Sequence, residues 1–531
     1  MIGYIREHLL EQKPADLLHN LKGNWYITVS SAAYLYLNGG NDDLYLYTVP
    51  VSVLLILILS VLVPPVPLIK GRSRAVNIFS LVNAICICIG LTSRSSGISG
   101  CILAVIAVPA VFLMNMLFWN RLLSVLREMM SGLPLNKAEV IIYVLIFTSA
   151  VAVTSYFFAR STAFYDQDTI VDIIYTGDSP TLINNNAYLF IDSSQNDIRQ
   201  PLFGLLSAPF AGIPSALHLL FSQINYIFFL NPVQILMMIT ANIILASEIS
   251  STRMQRICFM IITCFTHTFM LFSLMEEQYI TAYFWLVLAI CLINRKKKGS
   301  SAASYAAAGS LLTGMVLIPF AYPSFSFKAV RQGIRNTIIR CIEFVFLLVL
   351  FGRLSTLIES IESFIFYRLF MGRGVGYTDR LLQYLNFARS IYIAPASEIR
   401  DLGFRVSWQL PRITWIDITG ILILLLVFVC FWFTRKNGMS KISLCWIIFS
   451  FIILIGVGWG TSENGLILYS LYFSWAFSVL IFNLMKLIDE KLDRKPFLPA
   501  VTAVISITLL LFNIPAFMDM LDFAVTYYPV R

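Results

Sequence analysis

Charge is what this sequence has least of. Asp, Glu, Lys and Arg make up 13% of its 531 residues, against about a quarter in soluble domains, while hydrophobic residues make up 58%. A soluble chain could not cover that much apolar side chain with its own surface, even divided into several domains, which excludes a soluble enzyme. The opening segment, MIGYIREHLLEQKPADLLHNLKGN, carries acids and amides where a cleaved signal peptide needs an apolar run, so insertion through the chain's own spans is expected. Histidine is scarce, and His8, His19, His218 and His267 have no metal-ligand spacing. The nine cysteines fall almost entirely inside apolar stretches, which argues against a disulfide framework. Cys86 and Cys88 stand one residue too close for a CxxC site, so neither a structural metal nor a redox centre is indicated. The net charge of +9 fits cytoplasmic flanks beside anionic lipid and gives no nucleic-acid signal.

What the chain has in quantity is apolar runs of about 20 residues, the length that crosses roughly 30 Å of hydrocarbon. They fall at 48–68, 76–92, 101–119, 140–159, 224–248, 255–274, 278–294, 303–320, 336–352, 417–434, 443–460, 465–484 and 498–515, with a marginal run at 24–38. The expected fold is an all-α, polytopic transmembrane bundle of about 11 to 14 helices with interfacial helices and outer loops. Lys and Arg beside a span stay cytoplasmic. The clusters are Lys70, Arg72 and Arg74; Arg121, Arg127 and Lys137; Arg253 and Arg256; Arg295 to Lys298; Arg435, Lys436 and Lys441; and Lys486 to Lys495. Holding these inside places 160–200, 275–277, 353–415 and 461–464 outside.

Parity then requires that 201–222 is not a full span, and Pro201, Pro209 and Pro214 each remove a backbone donor there, so short interfacial helices are expected. Arg331, Arg335 and Arg340 conflict with a complete span at 303–320, which suggests a re-entrant path broken at Pro319 and Pro323. Four segments follow: 1–135, an N-terminal transmembrane addition; 136–352, a transmembrane core with the acidic outer loop 160–200; 353–415, an outer loop rich in Arg and aromatics; and 416–531, C-terminal transmembrane helices.

The outer loop 160–200 carries six aspartates, most of which need only solubilise it. Two stand apart. Asp178 sits in YTGDSP, where Gly177 and Pro180 build a turn that holds its carboxylate in place. Asp197 sits in NDIRQPLF, just before the chain re-enters an apolar segment. In FSLMEEQYITAYF, Glu276 and Glu277 lie between two apolar helices joined by almost no loop. A carboxylate at the centre of a spanning helix costs about 2.5–3.5 kcal/mol on insertion scales, so such a pair is either functional or caps the helix that follows. Glu463, on another outer turn, reads as a cap. Arg199, Arg353, Arg373, Arg380 and Arg389 could grip a phosphate or merely solvate the loops, and Arg199 could pair locally with Asp197. His267, between Thr266 and Thr268, reads as a hydrogen-bonded packing residue. Carboxylates take a proton from an attacking hydroxyl and guanidinium groups hold phosphate bidentately. The combination suits transfer of a group from a phosphate-linked donor whose lipid tail lies between apolar helices.

This layout resembles the GT-C superfamily of integral-membrane glycosyltransferases, which includes the protein O-mannosyltransferases and the lipid A aminoarabinose transferases. In those relatives a span leads to an outer loop with an early acidic motif, and a later Asp-x-His-Pro-Pro-Leu-like stretch leads into interfacial helices. Asp178 matches the acidic position, NDIRQPLFGLL with Asp197, Pro201 and Leu202 looks like the second stretch, and Glu276/Glu277 resembles the acid on a later outer loop. The sequence departs in having Ser179 after Asp178 and Arg199-Gln200-Pro201 in place of His-Pro-Pro. The likeness covers 139–352. It implies a GT-C-like catalytic core at 136–352, with Asp178 as catalytic base and Asp197 and the later acid assisting. It further implies inverting transfer from a polyprenyl-phosphate sugar to a glycan, lipid or protein acceptor, on the outer face of the plasma membrane. By the same likeness a divalent metal is often unnecessary.

Two other classes compete. A lipid or oligosaccharide flippase would carry ionisable residues at mid-span, whereas this chain keeps nearly all its acids at helix ends and in outer loops. A lipid-linked polysaccharide polymerase or ligase would depend on arginines and tolerate loss of Asp178. A membrane scaffold without chemistry is the fourth reading.

Overall fold

The computed structural model describes residues 14–39, 43–63, 73–94, 98–165, 173–175, 177, 182–183, 186–191, 198–297, 299–316, 327–362, 371–372, 374–401, 403, 405–462, 464–492 and 497–530. In chain order its helices are α1 (Pro14–Asn38), α2 (Asp43–Leu62), α3 (Arg74–Leu91), α4 (Ile98–Met130), α5 (Lys137–Arg160), α6 (Phe203–Leu220), α7 (Ile227–Ile249), α8 (Arg253–Cys264), α9 (His267–Leu274) and α10 (Gln278–Asn294). They continue as α11 (Ser300–Ser310), α12 (Phe327–Leu350), α13 (Leu354–Glu362), α14 (Tyr377–Ser390), α15 (Ile418–Thr434), α16 (Gly438–Phe451), α17 (Ser470–Leu492) and α18 (Phe497–Tyr527). A short antiparallel hairpin, β1 (Glu398–Asp401) and β2 (Val406–Gln409), lies between α14 and α15. Among the described residues nine helices are long and apolar enough to cross a membrane, and two bent pairs, α8–α9 and α12–α13, raise the count to as many as 11. The chain is an all-α polytopic membrane protein.

The chain folds as two compact units, each discontinuous in sequence. The first comprises Met1–Glu128, Asn185–Leu230 and Ser304–Glu362; the second comprises Met129–Asn184, Asn231–Ala303 and Ser363–Arg531.

In the first unit, amides inside apolar helices pin their neighbours. The Asn24 side chain donates to the carbonyls of Ser60 (3.0 Å) and Val63 (2.8 Å), joining α1 to α2. That of Asn83 on α3 donates to Asn115 Oδ1 on α4 and to the Pro209 carbonyl on α6, both at 2.8 Å. The region expected to break into interfacial helices is instead one continuous helix, α6, with Pro209 and Pro214 inside it. Its glycine-assisted fit against α3 overrides the prolines: a Cβ on Gly212 would lie 2.6 Å from Asn83 Oδ1 and from Ile87 Cγ1. Such close approach of small residues is how membrane helices gain contact, and neighbouring side chains re-satisfy backbone disturbed by proline. The 303–320 run also departs from a full span, since α11 stops at Ser310 and a 3₁₀ turn, Leu312–Val316, follows. Pro319 and Pro323 lie outside the described residues.

The second unit is built around α10, which is buried from Gln278 to Ile293. A helix that is apolar on every side belongs in an interior, and Trp446, Tyr472 and Trp475 of α16 and α17 add their rings to the same core. One end of this unit is fastened by charge. The Arg256 guanidinium donates from Nε to Glu139 Oε1 (2.7 Å) and from NH2 to Glu139 Oε2 (2.8 Å), and its NH1 donates to the Leu133 carbonyl (2.7 Å). The same Glu139 closes a capping box with Asn136 at the start of α5. Arg295 pairs with Glu248 and donates to the Met129 carbonyl, and Lys486 donates to the Ile249 carbonyl. Arg256, a member of one of the basic clusters expected on the cytoplasmic side, is fully buried and paired.

Candidate functional site

The far end of α10 from these ion pairs is formed by a three-residue connector, Met275–Glu277, between α9 and α10. The rise of 1.5 Å per residue puts the two ends of α10 about 25 Å apart. Glu276 and Glu277 in this connector are fully buried. Glu277 occupies the N-cap position of α10, yet its side chain makes no capping hydrogen bond. A capping hydrogen bond therefore does not account for the pair.

Glu276 has a specific partner. Asn231, at the start of the second unit's share of α7, donates from Nδ2 to Glu276 Oε1 (2.9 Å) and to the Ser273 carbonyl (2.7 Å), while its Oδ1 accepts from Thr154 Oγ1 on α5 (2.9 Å). Glu276 Oε2 is buried with no hydrogen-bond partner among the described residues. Burial raises the Glu276 carboxyl to about 8, against the opposing pull of the Asn231 hydrogen bond. It is thus mostly a neutral acid at pH 7, able to donate a hydrogen bond.

Two described pieces of the 160–200 stretch, residues 173–175 and Gly177, lead to the same connector. Residues 173–175 dock alongside the hairpin: Trp408 N–H donates to the Ile173 carbonyl and Tyr175 N–H donates to the Trp408 carbonyl, both at 2.7 Å. The Gln409 amide donates to the Tyr175 carbonyl, and the Tyr175 and Ser397 hydroxyls share a 3.0 Å hydrogen bond. Tyr175 holds a left-handed φ of 53°, rare for a bulky residue and affordable only where surrounding contacts dictate it. The chain then delivers Gly177 against the acids, where a Cβ would sit 2.2 Å from Met275 Cε and 3.2 Å from Glu277 Oε1. A side chain in this seat would require the flexible end of Met275 to move aside.

Beside the connector runs a lateral groove of about 600 Å³ between α5, α8, α9 and α18. Its walls are apolar, with Ile146, Phe269, Met270 and Ile514 among them, and it takes in Thr154 and Ser273, the two groups that bond Asn231. The groove thus has a hydrocarbon body and, through Asn231, a polar tie to Glu276. Its size falls within the roughly 300–1,000 Å³ usual for ligand sites.

The other candidates separate. Asp178, Asp197 and Arg373 lie outside the described residues, as does Glu463. Arg199 and Arg353 belong to the first unit. Arg353 is buried and donates to the Ile191 carbonyl (2.8 Å), while the Arg199 carbonyl accepts from Leu312 N–H. Arg380, in the second unit, donates to the carbonyls of Val375, Ile455 and Gly372 and stacks over Tyr377. Its guanidinium knits the 372–375 turn to the π-helical turn Ile452–Val457 that continues α16. Arg389 stands 3.5 Å from Asp417, the N-cap of α15. His267 is buried, with Nδ1 on the Ser390 carbonyl at 2.8 Å. Among the described residues no group of three His, Cys, Asp or Glu side chains is placed to hold a metal ion.

Sequence reasoning reached Glu276 and Glu277 but missed Asn231 and Thr154. The available signal was an Asn-Pro step within the apolar run 224–248, since a lone amide in such a run seeks a buried partner. Comparison with known protein families, with curated proteins and with solved structures gives no match for this chain.

Proposed function

We propose that the protein is a GT-C-like membrane glycosyltransferase that moves a sugar from a polyprenyl-phosphate carrier to an acceptor at the extracytoplasmic face of the plasma membrane. The observation that carries this reading is the meeting of Gly177, the residue before Asp178, with the Glu276/Glu277 connector beside a groove suited to a lipid chain. In this reading the groove takes the isoprenoid tail. Glu276, protonated near neutral pH, donates a hydrogen bond to the phosphate that departs with the carrier. Asp178 removes the proton from the acceptor hydroxyl as its oxygen attacks the anomeric carbon, the C–O bond to phosphate breaks, and the carrier leaves as polyprenyl phosphate. Sidedness comes from the ion-paired basic end of the second unit, which the positive-inside rule assigns to the cytoplasm. The arginine-dominated polymerase or ligase alternative gains nothing from Arg353 and Arg380, whose guanidinium groups serve backbone carbonyls.

A photoactivatable polyprenyl phosphate tests the groove. Cross-links are expected on Met270, Phe269 or Ile514, competed by unlabelled polyprenyl phosphate. Label that avoids these residues would contradict the assignment.

A further inference from the structure

A second cavity in the second unit lies beside the docked outer loop and carries chemistry that the lipid groove lacks. It encloses about 170 Å³. Its floor is set by the break between α8 and α9, a 63° bend. Irregular backbone at membrane depth persists only where protein holds it or where it lines a cavity. Here Asn513 of α18 holds it, donating from Nδ2 to the Phe265 and Tyr392 carbonyls, both at 2.9 Å, and accepting from Ala394 N–H at 2.8 Å. The first residue beyond the break, His267, lines the cavity and is 2% exposed.

The imidazole is oriented. Its Nδ1 faces the Ser390 carbonyl, which can only accept, so Nδ1 carries the hydrogen and Nε2 is left with a lone pair. Among the described residues the ring's hydrogen bond is the one made at Nδ1, which leaves Nε2 to the cavity. The remaining walls are the Trp408 and Phe517 rings, the bonded Tyr175 and Ser397 hydroxyls, and the exposed carboxylate of Asp519 at the rim. The cavity thus offers two bare acceptors, a hydroxyl pair able to donate or accept, and aromatic surface. That set selects against phosphate, which Asp519 repels, and against a purely apolar guest, which would leave Nε2 unpaired. It suits a neutral ring bearing hydroxyls on its edge and C–H groups on its face. The volume equals five or six water shares of about 30 Å³ each, room for one such ring and not for an oligosaccharide.

We propose that this cavity binds a single neutral pyranose ring, the acceptor end of the second substrate. The acceptor role, though not the ring binding, rests on the transferase reading above. Tyr175 stands two residues before Gly177, so the ring would lie beside the stretch that meets the acid connector.

The test uses full-length protein in lipid nanodiscs and a panel of methyl pyranosides, with binding read by saturation-transfer NMR and inorganic phosphate as a control ligand. At least one pyranoside is expected to bind saturably. Asp519→Asn, which weakens one acceptor, and Ala396→Trp, which fills the cavity from an exposed loop position, are each expected to weaken binding about tenfold or more, or about 1.4 kcal/mol. Absence of saturable binding across the panel, preference for phosphate, or binding untouched by Ala396→Trp overturns the proposal. Pyranoside binding by a protein that transfers no sugar supports the ring site and removes its acceptor role. Sugar transfer without pyranoside binding overturns the ring site and leaves the transferase reading standing.

Discussion

Glu276 is the residue whose chemistry is most sharply set by its surroundings. Its carboxyl is raised from 4.5 to about 8 by burial. Between those values the folded protein keeps a proton that the unfolded chain has released, so stability is greatest at the acid end of the window and falls as pH rises through it. The slope approaches about 1.4 kcal/mol per pH unit for one proton. Glu276→Gln is expected to flatten that stretch of a thermal-unfolding profile measured against pH. The amide also keeps a donor where the neutral acid had one, so under the proposed function transfer by the variant is expected to persist above pH 8 and that of the wild type to decline. A variant whose stability retains the wild-type pH slope would show that the proton resides elsewhere.

The buried pair of Arg256 and Glu139 makes a different kind of residue-scale claim. Removing one partner leaves the other charged in an apolar surround, which costs about 3–5 kcal/mol, whereas removing both charges is often neutral. Arg256→Met alone should therefore lower the melting temperature strongly. Adding Glu139→Gln, which retains an acceptor for the α5 capping box, should restore most of the loss. Equal melting temperatures for the single and double variants would contradict the pairing seen here.

At the scale of the element, helix existence follows from apolar run length wherever a run is uniform. The 278–294 run coincides with α10, and the Asn136-x-x-Glu139 capping signature sits at the start of α5. The prolines of α6 mislead because local propensity is overridden by packing that only the tertiary structure contains. The clearest case is Gly212, whose contacts with Asn83 and Ile87 join α6 to α3. Gly212→Ala should cost roughly 1–3 kcal/mol, as overpacking does, since the Asn83 side chain it displaces also holds Asn115 and Pro209. An unchanged melting temperature would mean that the two helices part at little cost. The candidate site was legible in part for a similar reason. Two adjacent acids between apolar helices are conspicuous in a sequence, but the Thr154–Asn231–Glu276 chain joins residues 77 and 45 positions apart, and nothing in their local pattern announces that they meet.

At the scale of the whole molecule, low charge, repeated apolar runs and basic flanks were enough to define an all-α polytopic membrane protein. They could not reveal that each compact unit gathers three separate stretches of chain, because such interleaving is set by long-range packing. The proposed chemistry belongs to this scale as well, since it needs a lipid groove, a buried acid and an outer loop from distant parts of the sequence. The most direct measurement is release of polyprenyl phosphate from a radiolabelled polyprenyl-phosphate sugar by purified protein in proteoliposomes, with wild type and Asp178→Asn compared at equal amounts. Acceptor-dependent release by the wild type and its loss in the variant, with unfolding temperature unchanged, is the expected result. Equal release by the two proteins would contradict the account.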